Sequence, residues 1–140
     1  MTNNQKTQLI ETAIKMMDFS YVPYSHFHVG AALLAKDGTV FTGCNVENAA
    51  YGPSNCAERT AIFKAVSEGV RSFEAIAIVG GAENEKGEPV IKDFCPPCGV
   101  CRQVMSEFCG KDFKIILTDG NGGIKEFTLA ELLPESFNLI

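Results

Sequence analysis

The sequence lacks any run of basic residues, although 12 of its 140 residues are Lys or Arg. Proteins that bind a nucleic-acid backbone need clustered basic side chains, whereas this chain has a net charge of −5. These features argue against nucleic acid as the main partner. A small substrate that is neutral or weakly charged suits the chain better.

Long apolar runs are also missing. Residues 1–6 are mostly polar and lead into an amphipathic stretch, which argues against a secretory signal peptide and a transmembrane helix. We therefore expect no membrane partner and a cytoplasmic location, where thiols stay reduced. In that compartment the six cysteines are better explained as metal ligands and buried small side chains than as a disulfide framework.

The sequence contains no repeat, low-complexity segment or linker, and its length suits one hydrophobic core, so we predict one domain over residues 1–140. Hydrophobic periodicity, capping boxes and turn signals predict helices near residues 2–18, 56–68 and 98–108, a short helix after Thr128, and strands at 28–35, 40–46, 75–79, 114–118 and 124–127. Residues 80–94 are charged and are expected to form a loop. Strands separated by helices predict the α/β class, as a three-layer α/β/α domain around a mixed sheet of about five strands.

Two short motifs carry the strongest chemical signal, Cys56-Ala57-Glu58 and Pro97-Cys98-Gly99-Val100-Cys101. The thiolates of Cys56, Cys98 and Cys101 can bind one Zn²⁺ per chain and leave the fourth tetrahedral position open for water. An open position is typical of a catalytic zinc site, whereas structural sites are closed by four protein ligands. Glu58, two residues from a ligand, can take a proton from that water and pass it on.

Both motifs lie at the start of predicted helices, whose positive ends stabilise thiolates and lower their pKa. Three thiolates around Zn²⁺ leave a net charge of −1, which weakens the metal as a Lewis acid. Arg59 follows Cys56 by one helical turn, so its guanidinium can donate to the sulfurs and withdraw that charge. Arg102 is a second, weaker candidate for the same role.

With these residues, the chain resembles the cytidine deaminase family, in its small, single-domain, homotetrameric type. Four segments carry the resemblance, namely residues 23–32, 43–49, 56–61 and 97–103. The metal motif alone is typical of zinc deaminases that act on nucleobases. Residues 45–48, Asn-Val-Glu-Asn, narrow the prediction to a nucleoside.

The resemblance implies zinc-dependent conversion of cytidine and deoxycytidine to uridine and deoxyuridine, with release of ammonia, in pyrimidine salvage. It implies that Glu58 deprotonates the water that attacks C4 of cytosine and then delivers protons to N3 and to the departing ammonia. Asn45 and Glu47 are implied to hold the ribose hydroxyls. Phe27 is implied to pack on the base, and the backbone around Ala57 to contact the pyrimidine edge.

The resemblance also implies a homotetramer in which Tyr51 and Phe137 reach the pocket of a neighbouring subunit. The chain departs from the family pattern in a longer, charged loop over residues 83–92, and in Pro96, where Ser is usual. Cys95 adds a thiol close to the metal motif. These departures leave open whether the loop changes substrate access or subunit packing.

The same residues are also compatible with simpler roles. The three cysteines could be buried free thiols, a closed structural zinc completed by a distant His, or, at Cys98 and Cys101, a redox pair. His26 and His28 are interpreted as satisfied loop or core histidines, and the remaining cysteines as small hydrophobic side chains: Cys44, Cys95 and Cys109. The alternative functions are deamination of another cytosine-bearing nucleoside, such as an antibiotic, and a zinc-stabilised binding module without turnover.

Overall fold

A capping box starts the first helix. In the computed structural model, which describes residues 1–139, the hydroxyl of Thr2 accepts a hydrogen bond from the amide of Gln5 (3.1 Å). The side chain of Gln5 in turn accepts from the amide of Thr2 (2.8 Å), so two amides at the helix start find partners. Helix α1 (Asn3–Met16) continues as a 3-10 turn (Met17–Phe19), which confirms the predicted end of this segment near Asp18.

The remaining elements alternate between strands and helices, as predicted. In chain order they are β1 (Phe27–Ala35), β2 (Val40–Cys44), α2 (Ala57–Ser67), β3 (Phe73–Ala82), α3 (Gly99–Phe108), β4 (Lys114–Thr118), β5 (Ile124–Thr128) and α4 (Leu129–Leu132). The strands form one five-stranded sheet in the order β2-β1-β3-β4-β5. Strands β3 and β4 are parallel and the other neighbours are antiparallel, so the predicted mixed sheet is confirmed.

The central strand β3 is longer than the sequence predicts. The predicted strand stops at Val79 and a loop begins at Gly80, but β3 continues to Ala82 and pairs Phe27 of β1 with that residue. The two glycines of this extension are places of close approach rather than loop signals. A Cβ at Gly80 would lie 2.7 Å from the sulfur of Cys95 and 2.9 Å from the ring of Phe27, so any other residue here would displace those side chains.

Alternate side chains of the sheet pack against helices on opposite faces. One face packs against α1 and the other packs against α2, α3 and α4, which gives the three predicted layers. The residues facing α1 are small or medium in size, whereas those facing α2 and α3 are mostly larger: Ala32, Ala75, Ala77, Val79 and Ile116 on the first face, and Leu33, Ile76, Ile78, Ile115 and Leu117 on the second. Every helix within residues 1–139 is too short or too polar to span a bilayer.

Helix α2 lies directly against β2 because Gly43 has no side chain. A Cβ at Gly43 would clash with the carbonyl oxygen of Ala57 and would lie 2.7 Å from the amide nitrogen of Ala61. The first turn of α2 therefore rests on the β2 backbone. This contact sets the position of the motif that begins at Cys56.

Substitution Gly43→Ala tests this contact. We expect the added methyl group to push α2 away from β2 and to lower the free energy of unfolding by about 1–3 kcal/mol, the usual cost of overpacking. Urea denaturation followed by circular dichroism measures the change. Gly52→Ala is the matched control, because within residues 1–139 no atom beyond the two chain neighbours of Gly52 lies within 4 Å of the position its Cβ would take. Equal midpoints for the two variants would contradict the contact.

Candidate active site

Three sulfur atoms converge at the ends of two helices. The Sγ atom of Cys98 lies 3.7 Å from that of Cys56 and 3.5 Å from that of Cys101, and all three sulfurs lie within 4.8 Å of one another. With Zn–S bonds of about 2.3 Å, sulfurs at tetrahedral angles lie about 3.8 Å apart. The three thiols therefore fit a single zinc ion in both chemistry and spacing.

The two helix starts place these sulfurs. Cys56 is the N-cap residue of α2 and Cys98 is the N-cap residue of α3, each one position before the helix proper. The sulfur of Cys98 accepts a 3.5 Å hydrogen bond from the amide of Cys101, in the manner of a capping oxygen. Helix dipoles and free amides at both caps favour negative charge on the sulfurs.

Arg59 lies against the sulfur cluster at the predicted place. Its Nη2 atom donates to the sulfur of Cys56 over 3.3 Å. Arg102, the second candidate for this contact, lies elsewhere, because it donates to the carbonyl oxygens of Pro97 (2.8 Å) and Leu132 (2.7 Å). Arg102 thus ties the end of α4 to the segment before α3, and this long-range pairing leaves no local signal in the sequence.

The pKa values of Cys56 and Cys101 shift in opposite directions. A hydrogen bond from Cys101, together with one from Arg59, lowers the pKa of Cys56 to about 5 despite its partial burial. The interaction with Cys56, followed by burial, raises the pKa of Cys101 above its ordinary value. A metal held by all three sulfurs requires three thiolates, so metal binding releases protons and depends on pH.

Glu58 is buried beside the sulfurs and only 3% of its surface is exposed. Its Oε1 atom has no hydrogen-bond partner among residues 1–139, which is costly for a buried carboxylate unless a further group binds there. Burial, reinforced by the negative charge of Cys56, raises the pKa of Glu58 to about 7. A carboxyl group with that pKa can both accept and donate protons near neutral pH.

A cavity of about 380 Å³ opens in front of these groups. Its size lies in the range of small-molecule sites. The lining comes from β1, the loop after β2, the start of α2 and the segment before α3: Val29, Asn45, Glu47, Tyr51, Ser54, Asn55, Cys56, Glu58, Arg59, Cys95, Pro96 and Cys98. The cavity therefore joins the sulfur cluster to Asn45 and Glu47 of the loop after β2.

The main chain before and within β1 holds Asn45 and Glu47. The amide group of Asn45 donates to the carbonyl of Phe27 and accepts from the amide of Val29, both over 2.9 Å. Glu47 accepts hydrogen bonds from the amides of Tyr24 and Ser25, both over 3.1 Å. Slight burial opposes ionisation, but the bonds from Ser25 and Tyr24 prevail and lower the pKa of Glu47 below its ordinary value. Glu47 is therefore a carboxylate at neutral pH.

Three other predicted residues lie around the cavity in different ways. Phe27 lies beside it, with its ring next to Cys95 over Gly80, and the ring does not form part of the lining. Ala57 is fully buried, between the lining residues Cys56 and Glu58, and does not itself line the cavity. Tyr51 lies at the open rim and is 91% exposed. Phe137, 67% exposed, is not among the lining residues.

Sequence reasoning missed Val29, Ser54 and Asn55 as lining residues. Ser54 and Asn55 precede Cys56 directly, and this adjacency to a metal ligand is the signal that could have identified them. Cys95 faces the cavity, and burial raises the pKa of its thiol to about 11, so it stays protonated. Within residues 1–139 it does not belong to the metal-binding group of thiols, in agreement with its interpretation as a small side chain.

Comparison with known proteins agrees with this geometry. A sequence profile described as the cytidine and deoxycytidylate deaminase zinc-binding region matches residues 3–117. A cytidine deaminase from Sporosarcina psychrophila is 53% identical over 131 residues, or 94% of this chain and 90% of the relative. One from Halalkalibacterium halodurans is 53% identical over 132 residues, or 94% and 93%.

The crystal structure of cytidine deaminase from Burkholderia pseudomallei has the same fold. It superposes with a TM-score of 0.83 at 45% sequence identity, over 98% of this chain and 100% of that chain. The match includes the sheet and the helices that present the three cysteines. On the sequence profile, the relatives and the fold together, the chain belongs to the cytidine and deoxycytidylate deaminase family.

Proposed function

We propose that the protein hydrolyses cytidine and deoxycytidine to uridine and deoxyuridine, with release of ammonia. One observation carries the proposal. A single cavity joins the buried, unpartnered carboxylate of Glu58 and the three convergent sulfurs to the hydrogen-bonding side chains of Asn45 and Glu47. The first group suits hydrolysis at an amino-substituted carbon, and the second suits a sugar.

Cys56, Cys98 and Cys101 hold one zinc ion per chain in this proposal. The donor set fits, because thiolates are preferred zinc ligands and the sulfurs have the spacing of a tetrahedral site. When bound, zinc supplies the positive charge that makes a water molecule acidic near neutral pH. Arg59, through its bond to the sulfur of Cys56, offsets the excess negative charge of three thiolates.

Glu58 moves the protons. As a carboxylate it takes one proton from the water whose oxygen bonds to C4 of the cytosine, and it delivers that proton to N3. It then takes the remaining hydroxyl proton and delivers it to the amino group as the C4–N bond breaks. Ammonia leaves, a carbonyl forms at C4, and Glu58 returns to its starting carboxylate. A pKa of about 7 suits both directions of transfer.

Glu47 and Asn45 bind the sugar. A carboxylate held by the Tyr24 and Ser25 amides accepts hydrogen bonds from ribose hydroxyls, and Asn45 is held beside it. Among the cavity-lining residues of the described chain, Arg59 is the one cation, and it bonds to the sulfur of Cys56. A phosphate would therefore meet Glu47 without a compensating charge, which favours a nucleoside over a nucleotide.

We assign the remaining substrate contacts from the positions of three residues around the cavity. The ring of Phe27, which lies beside the cavity, packs on the base. The main chain of Ala57, between Cys56 and Glu58, contacts the pyrimidine edge. Tyr51 closes the open rim. The proximity of these groups to the cavity supports their assignment, together with the resemblance of segments 23–32 and 43–49 to the family.

The biological setting in this proposal is pyrimidine salvage in the cytoplasm by a homotetramer. Zinc-binding thiols need a reducing compartment, and the six cysteines are free thiols. Tyr51 and Phe137 are large aromatic side chains that the single chain leaves mostly exposed, as expected for residues that contact a neighbouring subunit. Tyr51 also lies at the cavity rim, where a second subunit would complete the wall.

Glu58→Gln tests the reaction and its acid–base residue together. Glutamine keeps the shape of the side chain but cannot exchange the proton, so we expect kcat to fall by at least ~10²–10⁴ while zinc stays bound. The measurement is the loss of ultraviolet absorbance as cytidine becomes uridine, with the zinc-loaded wild type beside the variant. Near-normal turnover by the variant would contradict the mechanism. A wild type that binds zinc but leaves cytidine unchanged would contradict the substrate, and modified cytosine nucleosides would be assayed next.

Glu47→Gln tests sugar binding. We expect KM for cytidine to rise and discrimination against free cytosine to weaken, because the neutral amide is a poorer acceptor for ribose hydroxyls than a carboxylate. Steady-state kinetics with cytidine and cytosine measure both effects. Wild-type kinetics in this variant would show that Glu47 does not bind the sugar.

Cys98→Ser tests the metal assignment without reference to activity. Loss of one of three thiolates is expected to release zinc and to lower stability together, because metal binding and folding are coupled. Metal analysis of the purified protein and thermal denaturation measure the two quantities. Cys109→Ser is the control, since this thiol lies outside the cluster and should leave the zinc content at one per chain. Full zinc in Cys98→Ser would refute its role as a ligand.

A further inference from the structure

Both histidines of the chain bind one carboxylate outside the metal cluster. The Nε2 atom of His28 lies 2.7 Å from Oε1 of Glu83, and the Nδ1 atom of His26 lies 3.2 Å from Oε2. Glu83 follows β3, whereas the histidines lie before and within β1. The Glu83 clamp, defined as Glu83 with His26 and His28, thus joins the end of one strand to the start of its neighbour.

The ring of His28 bridges Glu83 and the 3-10 turn after α1. Its Nδ1 atom lies 2.5 Å from the hydroxyl oxygen of Ser20, which in turn lies 2.6 Å from the carbonyl oxygen of Met17. Its Nε2 atom donates to Glu83, because a carboxylate can only accept. This bond lowers the pKa of Glu83 below its ordinary value, so the contact is a charge-assisted hydrogen bond to a carboxylate.

The clamp holds a strained backbone. His26 has φ of +57°, in the left-handed region, which is unfavourable for a residue other than glycine. Its amide donates to the carbonyl of Val22, and its carbonyl accepts from the amide of Glu83 over 3.1 Å. The ring contact with the Glu83 carboxylate adds a third restraint. Such a conformation persists because the surrounding contacts hold it, and it often marks a functional position.

The strained residue lies between the main-chain groups that hold the two proposed sugar-binding side chains. The amides of Tyr24 and Ser25, just before His26, bind Glu47. The carbonyl of Phe27, just after it, binds the side chain of Asn45. A shift of the backbone at His26 therefore moves the supports of both side chains, and the clamp restrains that shift.

The charged loop over residues 83–92 begins at Glu83, and hydrogen bonds within this loop hold Glu83 in place. Glu83 pairs with Pro89 in an isolated β-bridge, and the side chain of Asn84 accepts from the amides of Lys86 and Glu88. The amide of Asn84 also donates to the carbonyl of Glu88 over 2.9 Å. The loop is thus a closed turn that returns to the end of β3. Its structure sets the position of the Glu83 carboxylate.

We propose that Glu83 is a positioning residue for nucleoside recognition, acting through His26 and His28 on the backbone that holds Glu47 and Asn45. The inference rests on the proposed function, because it concerns the sugar end of the same cavity. It gives the extra loop a role in substrate binding, and it places that role outside the residues that line the cavity.

Glu83→Gln tests the clamp, because glutamine keeps the length of the side chain and removes its charge. We expect KM for cytidine to rise on the order of tenfold, with kcat and zinc content unchanged, because one charge-assisted hydrogen bond is lost. In the Glu47→Gln background the same change should alter KM by less than about twofold, because coupled residues are not additive. Equal effects in the two backgrounds, or an unchanged KM, would overturn the proposal.

Two further measurements separate the clamp from general damage and from the proposed function. Glu85→Gln removes an exposed carboxylate of the same loop and should leave KM unchanged. Since the chain has two histidines, ring ¹H–¹⁵N spectra report on the clamp directly: both rings should respond to Glu83→Gln and neither to Glu85→Gln. Histidine ring signals that are unchanged in Glu83→Gln would overturn the proposal without reference to activity.

Absence of turnover by the wild type would contradict the proposed function and this inference with it, whereas an active wild type with normal KM in Glu83→Gln would contradict the inference alone. If Glu83→Gln does not fold with zinc bound, His28→Gln replaces it. This variant removes the ring that joins Glu83 to Ser20. It should raise KM in the same way, and additivity with Glu47→Gln would again overturn the proposal.

Discussion

The convergence of three thiols at two helix starts is the constraint on which the site depends. Cys56 and Cys98 each occupy an N-cap position, so the two helices point their positive ends at one place. This geometry favours negative charge on sulfur, and the excess of charge that results explains the Arg59 contact. Burial, together with the negative charge of Cys56, raises the pKa of Glu58. The charges of the sulfurs, Arg59 and Glu58 thus depend on one another.

The cavity brings Glu58 and the cysteine sulfurs together with Asn45 and Glu47. The main chain before and within β1 holds Asn45 and Glu47 in place. Gly43 allows α2 to approach the sheet closely, and Glu58 in the first turn of α2 lines the cavity. The segment before β1 then supplies main-chain amides to Glu47 and, through Phe27, a carbonyl to Asn45. The proposed hydrolytic groups therefore lie at the starts of α2 and α3, whereas the proposed sugar-binding groups lie in the loop after β2 and are held by the main chain around the start of β1.

Sequence reasoning succeeded where a short segment carries its own structural signal. The capping boxes at Thr2 and Thr128 and the cysteine motifs are signals of this kind, because each is complete within a few residues. It failed at Gly80, because a glycine in isolation indicates a turn while its extended conformation here depends on pairing with β1. The hydrogen-bond partners of Arg102 and Glu83 could not be predicted from the sequence either. His28 and Glu83 lie 55 residues apart and meet only when β1 and β3 pair.

The parallel pairing of β3 with β4 has a consequence for the order in which the site can form. Helix α3 is the crossover between these two strands, so Cys98 and Cys101 belong to a β–α–β unit that spans Phe73–Thr118. Cys56 precedes that unit, on a helix that docks mainly against β1 and β2. A chain in which either half has folded alone presents at most two of the three thiols. Binding of zinc by all three thiols therefore requires that both halves of the sheet have folded and paired. High-affinity zinc binding is thus expected late in folding.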